Sequence, residues 1–193
     1  MPLTTLDERT ALLIVDLQRG VLARPAVPHT PGDVIARAVD LARAFRAHAL
    51  PVVLTRFTTA PDGADATPGR TDMPRPSQAP PEGWDTLVDD LAGHPEDIVV
   101  TKRTWGSFYG TDLDLHLRRR GITQLVLAGV ATSIGVESTA RAAHERGYHL
   151  TLATDAVTDL NPDTHDNTVQ RIFPLLGETG STAEIIELLA KTR

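Results

Sequence analysis

Three places in this chain carry residues suited to chemistry, and each falls just past an apolar run. Asp16 follows ALLIV, Lys102 follows DIVVT, and the turn Gly129 to Gly135 follows QLVLA. A carboxylate beside an apolar stretch is expensive to bury unless it is paired or protonated, and Lys102 is the partner on offer. A structural ion pair and a catalytic acid–base pair both fit that pattern. Gly129 and Gly135 flank a turn whose backbone N–H groups open a helix, a setting for an anion or oxyanion. Gly135 stands where a nucleophilic side chain would serve best, and the chain contains no cysteine.

Further candidates surround these three. Thr132, Ser133 and Ser138 carry hydroxyls, but Ser133 reads as a helix cap with Glu137 in support, and no histidine is spaced to serve as its base. Gln18, two residues past Asp16, and Ala131, Thr132 and Ser133 in the turn are assigned to substrate contact. Trp105 and Phe108 follow Lys102 and suit an aromatic pocket wall, with Tyr109 beside them. Arg70 lies in a long loop from which its guanidinium could fork onto a substrate carboxylate; Arg56 and Arg103 are weaker choices.

The elements that must position these groups follow from hydrophobic period. Ala11–Leu17, Pro51–Phe57, Asp97–Thr101, Gln124–Val130 and Tyr148–Ala153 read as strands, with a short edge strand at Glu178–Gly180. Asp155 then falls just beyond the fifth strand. Helices are expected over 31–49, capped by Thr30 with Pro31 in the first turn, over 111–120 ended by Gly121, and over 133–146 ended by Gly147. Further helical stretches are 84–91, 164–176 and 182–191. The segment 58–83, rich in Pro, Gly, Asp and Thr, is a long loop of the kind that often covers a site. Strands alternating with helices predict one α/β domain, a three-layer α/β/α sandwich with a six-stranded, mostly parallel sheet. Its ligand site should lie beyond the carboxyl ends of the strands.

Composition excludes several functions. With 193 residues and 41% hydrophobic content, the chain suits a single core. A net charge of −6 without a basic, aromatic-interleaved stripe argues against nucleic acid, and Arg118, Arg119 and Arg120 read as the solvated end of a helix. No apolar run is long enough to cross a bilayer and MPLTTLDERT does not resemble a signal peptide, so no membrane partner and a cytoplasmic location are expected. The seven histidines are scattered and read as surface residues, so no metal site is expected. There is no G-x-G-x-x-G and no P-loop lysine, so no nucleotide cofactor is expected either.

The segments ALLIVDLQRG, VTKRTWGSF and LVLAGVATSIGVESTARAA, in that order, resemble the isochorismatase-like hydrolases, also called the cysteine hydrolase superfamily. The resemblance spans roughly Arg9 to Leu189. It implies dimers or tetramers and a cis peptide between Val130 and Ala131 that aims N–H groups into the site. In most members Asp, Lys and Cys form a triad; here Asp16, Lys102 and Gly135 occupy those positions. Glycine cannot form a thioester, but it does occur there in isochorismatases proper, which cleave an enol ether without a covalent intermediate. By that resemblance Asp16 would protonate the vinyl carbon while Lys102 orients it and meets developing oxygen charge, with N–H groups near Ala131 and Gly135 holding the polar end. The ammonium should lower the Asp16 pKa, so burial must oppose it for the acid to stay protonated. GVATSIG also stands near the GVATNVC of cysteine-using members. Hydrolysis of another small amide or ester, or a silent ligand-binding homologue, are the competing expectations.

Overall fold

The computed structural model describes residues 3–65, 70–72 and 80–192. Six parallel strands form one sheet: β1 (Thr10–Val15), β2 (Val52–Phe57), β3 (Ile98–Lys102), β4 (Gln124–Val130), β5 (His149–Thr158) and β6 (Glu178–Gly180). Their spatial order is β3-β2-β1-β4-β5-β6. The chain winds outward from β1 to β3, then starts again at β4 on the other side of β1. The carboxyl ends of β1 and β4 therefore border the point where the winding reverses, which is where open α/β sheets bind ligands.

Alternate strand residues feed two cores. Leu12, Ile14, Val52, Leu54, Val126 and Ala128 pack under helices α2 (Pro31–Ala47) and α7 (Thr182–Thr192), whose Val34, Phe45, Ile185 and Leu189 face them. Ala11, Leu13, Val53, Leu125 and Leu127 point the other way, onto α3 (Leu113–Arg119), α4 (Glu137–Glu145) and α6 (Phe173–Leu176). Two short helices, α1 (Arg19–Leu22) and α5 (Pro162–Asn167), follow strand ends. The result is the three-layer sandwich expected from the alternation of elements. Thr30 caps α2 in a full capping box with Asp33, and Pro31 takes the first turn, where a missing N–H does no harm.

Four expectations need correction. Residues 84–91 form no helix: the Arg19 and Gly20 N–H groups bond to the Thr86 and Trp84 carbonyls, Val88 N–H bonds to Leu17 O, and Leu87 bridges Gln18. Those backbone groups, tied to the segment after β1, cannot pair within a helix. β5 does not stop at Ala153 but continues to Thr158 through a bulge, where its register with β4 jumps from Leu127↔Leu152 to Gly129↔Val157. Asp155 thus sits in the bulge, where its carboxylate accepts from the Thr182 N–H and hydroxyl and caps α7. The segments expected as helices from 133 and from 164 each contain a π-helical turn, Thr132–Val136 and Thr168–Ile172. Among the described residues no helix is long and apolar enough to cross a membrane.

Candidate active site

Asp16 is the residue after β1, and its backbone is left-handed at φ 53°. For a residue with a Cβ this conformation is unfavourable by about 1–2 kcal/mol, so surrounding contacts must hold it. Its N–H bonds to Thr55 O at 3.1 Å, and its carbonyl accepts from Gln18 N–H at 2.8 Å. These bonds fix the turn at the end of β1, and the carboxyl lies beside Thr55 of β2. Lys102, the last residue of β3, reaches across β2 to meet it: Nζ lies 2.6 Å from Asp16 Oδ2. The other two Lys102 donors go to the carbonyls of Thr104 (3.1 Å) and Trp105 (2.7 Å). An ammonium has three hydrogens, so this one is fully used, and its expected bond to a substrate oxygen has no free donor to make it.

Both charged groups are buried, Lys102 at 1% exposure and Asp16 at 6%. Burial is the largest influence on the Asp16 carboxyl and pushes its pKa up to about 6; the Lys102 charge, the hydrogen bond from Lys102 and that from Thr55 oppose this and only partly offset it. The contest foreseen between ammonium and burial is therefore won by burial.

Gly135 lies in the π-helical turn after β4. A Cβ built on it would stand 3.2 Å from Val130 O, 3.2 Å from Val15 Cγ1 and 3.3 Å from Asp16 Oδ2. The bare backbone of Gly135 thus faces the carboxyl directly. Gly129 explains how β4 comes so close: at φ +120° a Cβ there would fall 2.1 Å from Val15 O, so only glycine permits the contact. The Val130–Ala131 peptide is cis, as the family resemblance implies.

The remaining candidates divide sharply. Gln18 is buried and its amide is committed to backbone, donating to Phe57 O at 2.9 Å and accepting from Phe57 N–H at 2.7 Å. It braces the end of β2 and, wholly buried, presents no polar atom at the surface. Phe108 is core, packed against Tyr148 with centroids 6.0 Å apart under the Arg146 guanidinium, so it lines no pocket. Thr132 is buried with its hydroxyl 2.9 Å from His165 Nδ1. Ser133 is not a cap: no side-chain hydrogen bond caps the turn, and Glu137 accepts from Thr168 instead. Ala131 is half-buried and its carbonyl accepts from the Ile134 and Val136 N–H groups. Trp105 is exposed at 65%, tethered through its carbonyl to Lys102. Arg70 is exposed, and most of the loop around it (66–69 and 73–79) lies outside the described residues.

Two buried groups escaped the sequence reading. Asp159, one residue past β5, accepts from Ser133 N–H at 2.6 Å and from Leu160 N–H at 2.7 Å. A protein carboxylate thus occupies one of the N–H groups expected to hold a substrate anion. His165 is buried rather than on the surface, and desolvation, then the neighbouring His29, lower its pKa. The signal for Asp159 was hidden by ending β5 too early; that for His165 is its place three residues into a helix capped by Asn161. Among the described residues no group of His, Cys, Asp or Glu is arranged to hold a metal.

A parallel α/β sandwich with a buried carboxyl–ammonium pair past its strand ends and Gly135 beside it is the arrangement that the resemblance to isochorismatase-like hydrolases implies. Residues 10–184 match the Isochorismatase domain, and the chain belongs to that family. It is 44% identical to YecD of Escherichia coli O157:H7, an uncharacterized isochorismatase family protein, over 93% of this chain and 96% of that one. The ureidoacrylate amidohydrolase RutB of Stutzerimonas stutzeri is 32% identical, over 84% of this chain and 75% of that one. Among solved structures, an isochorismatase family protein from Burkholderia thailandensis is similar at a TM-score of 0.92 and 44% identity, covering 96% of this chain and 98% of that one.

Proposed function

We propose that this protein hydrolyses a small molecule without a covalent enzyme intermediate, and that the substrate is an enol ether of the isochorismate kind. The observation that carries the reading is a buried carboxyl with a pKa near 6, held 2.6 Å from Lys102 and facing the bare backbone of Gly135. Protonated Asp16 gives its proton to the terminal vinyl carbon, and positive charge develops on the ether carbon and oxygen. Water adds to that carbon and returns a proton to Asp16. The resulting hemiketal collapses to pyruvate and the alcohol. Lys102 acts by fixing Oδ2 and by stabilising the carboxylate left when the proton departs; Gly135 leaves the approach to Asp16 open.

The test is pyruvate release from isochorismate. We expect turnover in the native protein, reduced about 10²–10⁴-fold in Asp16→Asn, and kcat/KM that falls as pH rises through about 6 because the protonated acid is the active form. No pyruvate at millimolar substrate would remove the proposal. The RutB relatives favour a second reading, hydrolysis of an amide by water that ionised Asp16 activates. In that case activity on a ureido or amide substrate would rise, not fall, through the same pH.

A further inference from the structure

The turn that brings Gly135 to Asp16 begins at Thr132, and no side chain caps its start. Two groups from one later segment hold it instead. Asp159, just past β5, accepts from the Ser133 N–H, and His165, on α5, places Nδ1 2.9 Å from the Thr132 hydroxyl oxygen. That segment is itself pinned: Asp159 exchanges backbone hydrogen bonds with Val27 at 2.8 Å in each direction, and the Thr158 hydroxyl donates to His29 O at 2.7 Å. The reaction scheme gives His165 no part.

The direction of the Thr132–His165 bond follows from what each partner has to offer. A hydroxyl has one hydrogen, and a neutral imidazole has one donor and one acceptor nitrogen. Thr132 is wholly buried, so bulk water does not reach its hydroxyl. Among the described residues, His165 Nδ1 is the one group within hydrogen-bond distance of Thr132 Oγ1. A buried donor left unpaired is costly, so Thr132 donates, Nδ1 accepts, and the ring hydrogen of His165 sits on Nε2. A protonated ring would carry a hydrogen on Nδ1 as well and turn the Thr132 hydrogen away from its acceptor. The surroundings favour the neutral ring: burial, and then His29 standing edge-on with ring centroids 6.2 Å apart, lower the His165 pKa, while Asp159 and Asp166 oppose them.

We propose that His165 is a positioning residue: through Nδ1 it holds the Thr132 hydroxyl and, with Asp159 on Ser133, fixes the turn so that the backbone of Gly135 stays against the Asp16 carboxyl. This deepens the reading of Asp16 as the reactive acid and rests on it. The fit leaves little slack, since a Cβ on Gly135 would stand 3.3 Å from Asp16 Oδ2. A turn free to shift would close on the carboxyl or withdraw from it. His165 acts through Thr132 and gives up no proton in the reaction.

The experiment takes three readings on the full chain. Imidazole ¹⁵N NMR of the substrate-free protein at neutral pH should find Nδ1 bare and Nε2 protonated; a hydrogen on Nδ1 overturns the proposal. Thr132→Val and His165→Leu each remove the bond. Amide hydrogen exchange over residues 132–136 should then quicken about tenfold, with β1 unchanged. On isochorismate kcat should fall about tenfold with KM nearly constant. Thr132→Ser should keep both properties near native, as should His165→Asn, whose Oδ1 takes the place of Nδ1, and the double variant should be no slower than either single one. Exchange and kcat unchanged in Thr132→Val, a Thr132→Ser protein as impaired as Thr132→Val, or losses that multiply in the double variant would each overturn the proposal. Should His165→Leu fail to fold, the two Thr132 variants and the ring tautomer decide. If the native protein releases no pyruvate from isochorismate, the tautomer and the exchange rates still decide whether His165 holds the turn, and that failure belongs to the substrate assignment.

Discussion

Two carboxylates stand just past strand ends at the same edge of the sheet, Asp16 after β1 and Asp159 after β5, and both are buried. Their partners differ in kind. Asp159 accepts from two backbone N–H groups at 2.6 and 2.7 Å, donors that cannot rotate or leave. Asp16 has one ammonium and one long contact to a hydroxyl that can turn. Fixed donors suit a carboxylate that clamps the turn; burial that its partners only partly offset suits one that gains and loses a proton. The difference separates a structural acid from a reactive one more clearly than burial does, because burial is shared.

Removing the cation from the reactive side should have the largest effect. Lys102→Met leaves a carboxyl with no counter-ion in the interior, which destabilises by about 3–5 kcal/mol when that carboxyl is ionised. The loss should depend on pH. Burial already places the folded Asp16 value, about 6, above the free value of 3.8, so the folded chain retains a proton that the unfolded chain releases. Stability from this group is therefore full at low pH and lost as pH rises toward the folded value. Without Lys102 the folded value rises further and the loss extends to higher pH. Urea midpoints should then lie closest to those of the native protein near pH 5 and furthest below them near pH 8. A gap that does not depend on pH would mean that Asp16 does not take up the proton.

On the structural side the expected loss is smaller. Asp159→Ala strands the Ser133 and Leu160 N–H groups and should destabilise by about 2 kcal/mol. Asp159→Asn keeps one acceptor oxygen and should recover part of that. Because Ser133 lies two residues before Gly135, turnover should also drop in the alanine variant, with kcat affected more than KM. If both variants match the native urea midpoint, water replaces the carboxylate without penalty and the clamp is no clamp.

What the sequence revealed of this contrast was one side only. β4 and β6 match their expected limits residue for residue, and Asp16, Lys102 and Gly135 meet as the strand-end argument requires, because an apolar run that stops at a charge marks both a strand and its open end. Asp159 was not legible. Thr154 and Asp155 interrupt the hydrophobic run of β5, and a bulge that carries the strand past a polar residue leaves no mark in the period. Thr55, Ser107 and Thr139, buried together near Asp16, were invisible for another reason: they are ordinary in a strand, a loop and a helix, and they meet only across 32 to 52 residues of sequence. Gln18 and Phe108 misled because proximity in sequence to Asp16 and Lys102 says nothing about which way a side chain turns.

The smallest stability effect is expected at the turn itself. Replacing Gly135 by alanine removes the backbone freedom that makes glycine unfavourable in a helix, a gain of about 0.8–1 kcal/mol. Against that, the new methyl group would meet Val130 O, Val15 Cγ1 and Asp16 Oδ2 at 3.2 to 3.3 Å, and those atoms must yield by a few tenths of an ångström. The two effects oppose each other, and the urea midpoint should move by an amount worth less than about 1 kcal/mol. Activity should respond very differently, because the methyl lies between the turn and the carboxyl oxygen that Lys102 holds. We expect kcat/KM on isochorismate to fall at least tenfold at nearly constant stability. A Gly135→Ala protein that turns over substrate normally would place the reacting atoms elsewhere around Asp16, and the bare patch would then be no more than the clearance that lets β4 approach β1.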